Sequence, residues 1–469
     1  MLVEPVVVTP VAEVSAAHFI AAGGAGMSGI AQLFADSGVR VSGSDQADSA
    51  ALRALGEAGV TVSVGHDPSQ VGDVDVVVVS SAIKPDNVEL VEAQRRGIPV
   101  WHRSAGLAAL MQGKAGVCVT GTHGKTTTSG MTAVMLTAAG LDPSYVIGSP
   151  LAASGLTAHL GSGAAFVVEA DESDGSFLQY PTVVAVVTNI EADHLDNWGT
   201  EAAYAAGYRQ FALAPSVEVL VAGADDPGSA ALADEVRAAG HRVVTFGESA
   251  NADIRLTELA YEGTAARATL RWADQSRDLR LRVPGGFNLH NAAAGFAVGL
   301  ELGADPDLLI HGAAEFAGTL RRFQPVGEAR GVRVFDDYAH HPTELTATLT
   351  AARTVAGQGR VIACFQPHLY SRTRDFADEF GEALTLADVA VVTDVYGARE
   401  LPMPGITGEL VADAAMDAGA VMVTYVPDLA DVPAALAALA EPGDIILTLG
   451  AGSITTVGPL TAAAIEAGN

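Results

Sequence analysis

The stretch Thr120-Gly121-Thr122-His123-Gly124-Lys125-Thr126-Thr127-Thr128 decides the fold. It follows an apolar run with strand character at 117–120 and precedes a helical run at 129–139. A Gly-rich turn between a strand and a helix can wrap its amides around phosphate oxygens, where the helix dipole favours negative charge. In that setting Lys125 reaches the β- and γ-phosphates and the Thr126 hydroxyl sits on Mg2+. The strict phosphate-loop pattern asks for a Gly five positions before its last Gly, and Val119 stands there instead. An ordinary Gly turn capped by Thr is the competing reading.

Working outward, Glu169-Ala170-Asp171-Glu172-Ser173-Asp174 follows a strand at 164–168. Asn189-Ile190-Glu191-Ala192-Asp193-His194 follows another at 182–188. Carboxyl ends of strands face the ligand crevice in open α/β sheets. A carboxylate there can hold Mg2+, which prefers oxygen ligands. Taken singly, an acidic turn is more often a solvated loop, and a lone His is usually structural. Nearer the N-terminus, His18-Phe19-Ile20-Ala21-Ala22-Gly23-Gly24-Ala25-Gly26-Met27-Ser28-Gly29 reads as strand, Gly turn and helix start. A second strand then ends in Asp45. This spacing imitates a dinucleotide fingerprint: it allows a diphosphate, without specifying NAD, and close helix–strand packing would use the same glycines.

Asn288 and Asn291 are three apart in a helical run and so share a face. Arg321-Arg322 offers cations to a transferring phosphate. Asp336-Asp337-Tyr338-Ala339-His340-His341-Pro342-Thr343-Glu344 and Phe365-Gln366-Pro367-His368-Leu369-Tyr370-Ser371-Arg372-Thr373 each end a strand and open a helix, and Gly450-Ala451-Gly452-Ser453-Ile454 is a further Gly turn. No third ligand stands at metal spacing from the His340-His341 pair, so anion contacts fit it better.

The 469 residues amount to roughly three domains at about 150 each. Apolar strand-like runs alternate with Ala-rich helical stretches from end to end, which predicts α/β architecture with parallel sheets. Three blocks emerge: 1–112, 113–325, where Arg321-Arg322-Phe323-Gln324-Pro325 closes a helical stretch, and 326–469, opening on a strand at 332–335. With 55 acidic residues against 26 basic ones, the net charge is −29, which repels phosphate backbones and argues against a nucleic-acid partner. Lysines are confined to Lys84, Lys114 and Lys125, so one inside a phosphate-loop context is less readily background. Apolar runs have strand length, far short of a bilayer span. No basic start precedes an apolar stretch as a secretory signal requires, and two distant cysteines, Cys118 and Cys364, suit a reducing compartment. The expected location is cytoplasmic.

Together these motifs resemble the Mur ligase family, nearly end to end. The resemblance implies three domains: an N-terminal Rossmann-like domain for a UDP-sugar, a central P-loop-type ATPase domain and a C-terminal Rossmann-like domain. It implies an ATP- and Mg2+-dependent ligase of peptidoglycan synthesis, joining L-alanine to the lactyl carboxylate of UDP-N-acetylmuramate through an acyl phosphate, as a monomer or homodimer. Carried over by motif, the ATP contacts are Gly121, Thr122, His123, Gly124, Lys125, Thr126, Thr127, Asn288, Asn291, Arg322 and Asp337. Thr126 holds one Mg2+; Glu169 and His194 match positions of a second, near the sugar carboxylate. Lys125, Glu169, His194 and Arg322 form the catalytic set. Gly23, Gly26, Ser28, Asp45 and His66 fall in the UDP-binding block, while His340, His341, His368 and Arg372 are candidates for substrate or amine-side contacts. Phe287 stands where relatives often carry His, and Ala339 where Gly is usual. No Lys lies between His194 and Leu220, so the carbamoylated Lys of several relatives is not expected.

Overall fold

The computed structural model describes residues 2–398 and 400–468, apart from the side chain of Asp196. Among the described residues the strands form three sheets. The first holds β1 (Ala16–Ile20), β2 (Arg40–Asp45), β3 (Thr61–Val64), β4 (Val76–Val79) and β5 (Val100–His102), in the order β3-β2-β1-β4-β5, all parallel. The order reverses at β1, so the turn after β1 opens onto the crevice where such sheets bind ligands.

The second sheet contains β6 (Ala115–Thr120), β7 (Ser144–Val146), β8 (Ala158–His159), β9 (Ala165–Glu169), β10 (Thr182–Val187), β11 (Val219–Gly223), β12 (Arg242–Gly247), β13 (Ile254–Glu262), β14 (Ala265–Trp272) and β15 (Gln275–Leu281). Their order is β15-β14-β13-β12-β11-β10-β6-β9-β7-β8. Its middle is built from runs such as Thr182–Val187 and Ala165–Glu169, rich in β-branched residues and almost wholly buried, as strands covered on both faces must be. The third sheet holds β16 (Gln324–Ala329), β17 (Val332–Asp337), β18 (Val361–Phe365), β19 (Val389–Val392), β20 (Val423–Tyr425) and β21 (Ile445–Leu449), ordered β16-β17-β21-β18-β19-β20.

The chain divides into two compact units. One comprises 1–257, 270–277 and 290–313; the other 258–269, 278–289 and 314–469. In the first, helices such as Ala25–Asp36 and Arg103–Met111 cover the sheets through Phe34, Leu107 and Met111, in one apolar cluster with Phe166, Phe177 and Tyr208. In the second, the third sheet is sandwiched between a cluster around Leu345, Phe365 and Phe380 and another around Val334, Ile446 and Val457.

Two expectations need correction. The sheets are not parallel from end to end: β7 pairs with β8, and β16 with β17, antiparallel, and β13, β14 and β15 follow one another without a helix. In β14 buried and exposed residues alternate, and Gly263 and Ala273 have positive φ in the two-residue links. This period of two with turn chemistry is a strand-and-turn signature that the Ala-rich surroundings obscure. Second, the helix Pro306–Glu315 ends before the arginine pair. Arg321 and Phe323 take positive φ in a turn, and Pro325 lies in edge strand β16, where its missing N–H is tolerated. Among the described residues no helix is long and apolar enough to cross a membrane.

Candidate functional site

Sheet order explains how three distant motifs meet in the first unit. Strand β6 lies between β9 and β10, with Val119 opposite Glu169 and Thr120 opposite Val187. Residues 121–124, 169–172 and 188–191 therefore emerge side by side at the carboxyl ends of three adjacent parallel strands. The helix Lys125–Ala138 starts directly after the loop, with Gly124 as its N-cap at φ +84°. Gly121 has φ +134°, and a Cβ there would collide with the Thr188 hydroxyl, so both conformation and space demand glycine.

The 188–191 segment clamps the loop. The Asn189 side chain accepts from His123 N at 2.8 Å and donates to His123 O at 3.1 Å, and Thr188 Oγ1 donates to that same carbonyl at 2.6 Å. Thr122 N donates to Asn189 O at 3.1 Å, and Glu191 N donates to Thr122 Oγ1 at 2.9 Å. His123 Nε2 lies 3.3 Å from Glu191 Oε2.

Thr126 Oγ1 donates to Glu169 Oε1 at 3.0 Å, and Gly148 N to Glu169 Oε2 at 2.7 Å. A hydroxyl and a carboxylate thus stand together at the helix start, a hard oxygen donor set suited to a divalent cation. His194, at φ +54°, places Nε2 3.8 Å from Glu172 Oε1 and 3.5 Å from Asp193 Oδ2. The Lys125 ammonium donates to Glu172 Oε1 at 2.9 Å, with Glu172 fully buried. Burial pushes the Glu172 carboxyl up to about 7 against the pull of Lys125. Burial opposes the charge on Lys125 as well, yet the Glu172 carboxylate raises its pKa, so it stays protonated. Thr127 is buried beside them, and Thr128 Oγ1 donates to Asn291 Oδ1 at 3.0 Å.

In the first sheet, Gly23 N donates to Asp45 Oδ2 at 3.0 Å, and a Cβ on Gly23 would stand 2.5 Å from Ser49 Oγ. Ser28 N donates to Gly24 O in the first turn of the next helix. Gly26 is covered by Arg103, whose Nη1 would lie 2.5 Å from a Cβ there. Arg103 Nη2 donates to Asp171 Oδ2 at 2.9 Å, tying the Gly turn to the acidic turn after β9. Although burial acts in the opposite sense, Arg103 holds the Asp171 carboxyl below its ordinary range. His66 Nδ1 lies 2.9 Å from Glu89 Oε2, which also accepts from Ser44 Oγ.

The second unit gathers the remaining candidates. Asp337 and Phe365 both pair with Leu449 of β21, so the turns after β17, β18 and β21 lie together. Asp337 accepts from Phe323 N at 2.7 Å and Ala339 N at 2.8 Å; burial raises its carboxyl to about 6, against the pull of Arg322. Both arginines of the pair pack against the Tyr338 ring, but they differ in use. Arg321 is spent on structure, donating to Asp336 Oδ2 and Gly450 O, whereas Arg322 reaches Glu344 Oε1 at 3.9 Å. His341 caps the helix Pro342–Ala356 through Thr343 N. His340 packs edge-on against Tyr338 and His368, and Arg372 is buried in the helix Tyr370–Asp375. Asn288, buried, donates to Pro284 O at 2.7 Å, and Phe287 packs against the apolar cluster around Leu345. Asn288 belongs to the second unit and Asn291 to the first.

Glu172, Asp171, Arg103, Glu89 and Gly148 are site residues that motif reasoning did not single out. Glu172 and Asp171 lie inside the quoted acidic run, which was the available signal; Arg103 and Glu89 carried none.

Comparison with known proteins places the chain in a family. Three family models match: Mur ligase family, catalytic domain, over residues 16–115; Mur ligase middle domain, over 119–299; and Mur ligase, glutamate ligase domain, over 321–452. The chain is 60% identical to UDP-N-acetylmuramate–L-alanine ligase of Cutibacterium acnes, covering 99% of this chain and 98% of that protein. It is 55% identical to the protein of that name from Kineococcus radiotolerans, covering 96% of each. The crystal structure of UDP-N-acetylmuramate-alanine ligase from Thermotoga maritima is similar, with a TM-score of 0.81 and 27% identity over 97% of this chain and 99% of that one. These matches, domain by domain and along the full chain, show that the protein belongs to the Mur ligase family.

Proposed function

We propose that this protein is an ATP-dependent ligase that joins L-alanine to the lactyl carboxylate of UDP-N-acetylmuramate, giving ADP and phosphate, in peptidoglycan synthesis. The observation that carries this reading is 60% identity along essentially the whole chain to a ligase of that name. A carboxylate is a poor electrophile with no good leaving group. Transfer of the γ-phosphoryl group onto it gives an acyl phosphate, which the alanine amine attacks with loss of phosphate. The protein contributes positioning and charge stabilisation, without a covalent nucleophile of its own.

Within this reading the loop 121–124 and the start of the helix Lys125–Ala138 cradle the triphosphate, and Lys125 neutralises charge on its outer phosphates. The Thr126 hydroxyl, 3.0 Å from the Glu169 carboxylate, would hold one Mg2+ at the phosphates, and Glu169 with His194 would hold a second near the sugar carboxylate. Bound there, the metals would screen the repulsion between carboxylate and triphosphate. Asn291 and Asn288 serve the adenine side and Arg322 and Asp337 the nucleotide. Gly23, Gly26, Ser28, Asp45 and His66 serve the UDP moiety; His340, His341 and Arg372 serve the substrate in the last domain. The domains we assign are 1–112 for the UDP-sugar, 113–325 for ATP and 326–469 for ligation, and the location is cytoplasmic.

The test is phosphate release. It should require ATP, Mg2+, UDP-N-acetylmuramate and L-alanine together; equal release from ATP alone would leave a simple ATPase.

A further inference from the structure

The Lys125 ammonium carries three protons and meets three acceptors: Gly121 O at 2.6 Å, Thr122 O at 3.0 Å and Glu172 Oε1 at 2.9 Å. That uses the full donor capacity of a lysine. Two of the acceptors are carbonyls of the phosphate loop itself. The third is a carboxylate with no solvent exposure, whose other oxygen faces the Thr120 hydroxyl at 3.5 Å. The Thr122 hydroxyl, on the same loop, continues to Tyr204 OH at 3.4 Å and on to Tyr208 OH at 3.1 Å. The main chain of Glu172 is fixed as well, since Trp198 Nε1 donates to its carbonyl at 2.9 Å.

We propose that Glu172 is a positioning residue for phosphoryl transfer that acts through Lys125, tethering the ammonium at the loop so that it exchanges loop carbonyls for phosphate oxygens without leaving its place. This rests on ATP binding at the loop. A flexible lysine stem loses rotamer entropy when fixed, and a tether that fixes it beforehand removes that cost from the reaction step. Glu172 suits the task because a buried carboxylate stripped of its cation is costly. The ammonium therefore keeps this partner and trades the neutral ones. Glu172 itself touches no substrate in this scheme.

Kinetics and thermal unfolding of four full-length proteins test the proposal: wild type, Glu172→Gln, Lys125→Ala and the double variant, each assayed with ATP, Mg2+, UDP-N-acetylmuramate and L-alanine. Glu172→Gln should lower kcat on the order of tenfold or more, with KM for L-alanine within about twofold, because it loosens Lys125 and leaves the amine side alone. In the Lys125→Ala background the same change should cause no further loss of kcat. There it should leave the melting temperature unchanged or higher, since a buried Glu172 without its cation is either an unpaired charge or a neutral acid that glutamine copies. Losses that multiply in the double variant, or a double variant melting below Lys125→Ala, would overturn the proposal; the melting comparison stands even if Glu172→Gln alone folds poorly. Wild-type turnover in Lys125→Ala would instead bring down the assignment of ATP to the loop, and this proposal with it.

Discussion

At Asp337 one carboxylate ties a turn to a strand end, one oxygen accepting from Phe323 N and the other from Ala339 N. Asp337→Asn keeps the shape but turns one acceptor into a donor facing a backbone N–H, so the variant should lose about 1–3 kcal/mol in a denaturant titration. The loss should depend on pH. Burial raises the Asp337 carboxyl from 3.8 to about 6. A folded value above the unfolded one contributes stability that is present below 3.8 and lost as pH rises through 6. The asparagine variant lacks this contribution, so the gap between the two proteins should be wider at about pH 5 than at about pH 8; a gap that widens with pH would contradict the assigned environment. At Lys125 the effect is on rate: Lys125→Ala should cut turnover on the order of a thousandfold by removing a cation from developing phosphoryl charge. Glu169→Gln should raise the Mg2+ concentration needed for half-maximal rate more than the corresponding alanine concentration; a shift in alanine alone would remove Glu169 from the metal site.

The loop 121–124 derives its shape from the segment after β10 as much as from its own glycines. Asn189 holds both the N–H and the carbonyl of His123. Asn189→Ala leaves two backbone groups without these partners and should raise KM for ATP severalfold while costing about 1–3 kcal/mol of stability. Unchanged KM with reduced stability would mean that the loop keeps its form without the clamp. Part of this site was legible in the sequence. Strand, Gly turn and helix start are local patterns, so the loop, the Gly23 turn and the strand-end positions of Glu169, Asn189 and Asp337 could be read directly. That they converge could not be read, because it depends on β6 lying between β9 and β10, which is a property of strand order. The alternation that marks β13–β15 as strands was hidden in a chain otherwise dominated by helix-forming Ala. Glu172 was hidden differently: a turn has no periodicity, so nothing distinguishes its one fully buried carboxylate from neighbours that face solvent. Arg103 and Asp171 lie 68 positions apart and meet only through the packing of one sheet's helices against the next.

Over the whole molecule the net charge of −29 acts on substrates that are themselves anions. The basic groups near the candidate sites are few and mostly engaged locally, as with Lys125 on Glu172, Arg103 on Asp171 and Arg321 on Asp336. Attraction of a nucleotide therefore falls to loop amides and helix starts, which act over a few ångströms, while the long-range field is repulsive. These two contributions respond differently to salt. Screening weakens interactions between exposed charges beyond a Debye length, about 30 Å at 0.01 M and about 8 Å at 0.15 M, and leaves buried contacts largely intact. Raising the ionic strength over that range at fixed free Mg2+ should therefore lower KM for ATP and for UDP-N-acetylmuramate by about two- to threefold, with kcat little changed. L-alanine, a neutral zwitterion, should show no such trend and serves as the internal control. If KM for ATP rose with salt instead, exposed cations would be doing the recruiting, and the assignment of binding to backbone amides and buried partners would have to give way.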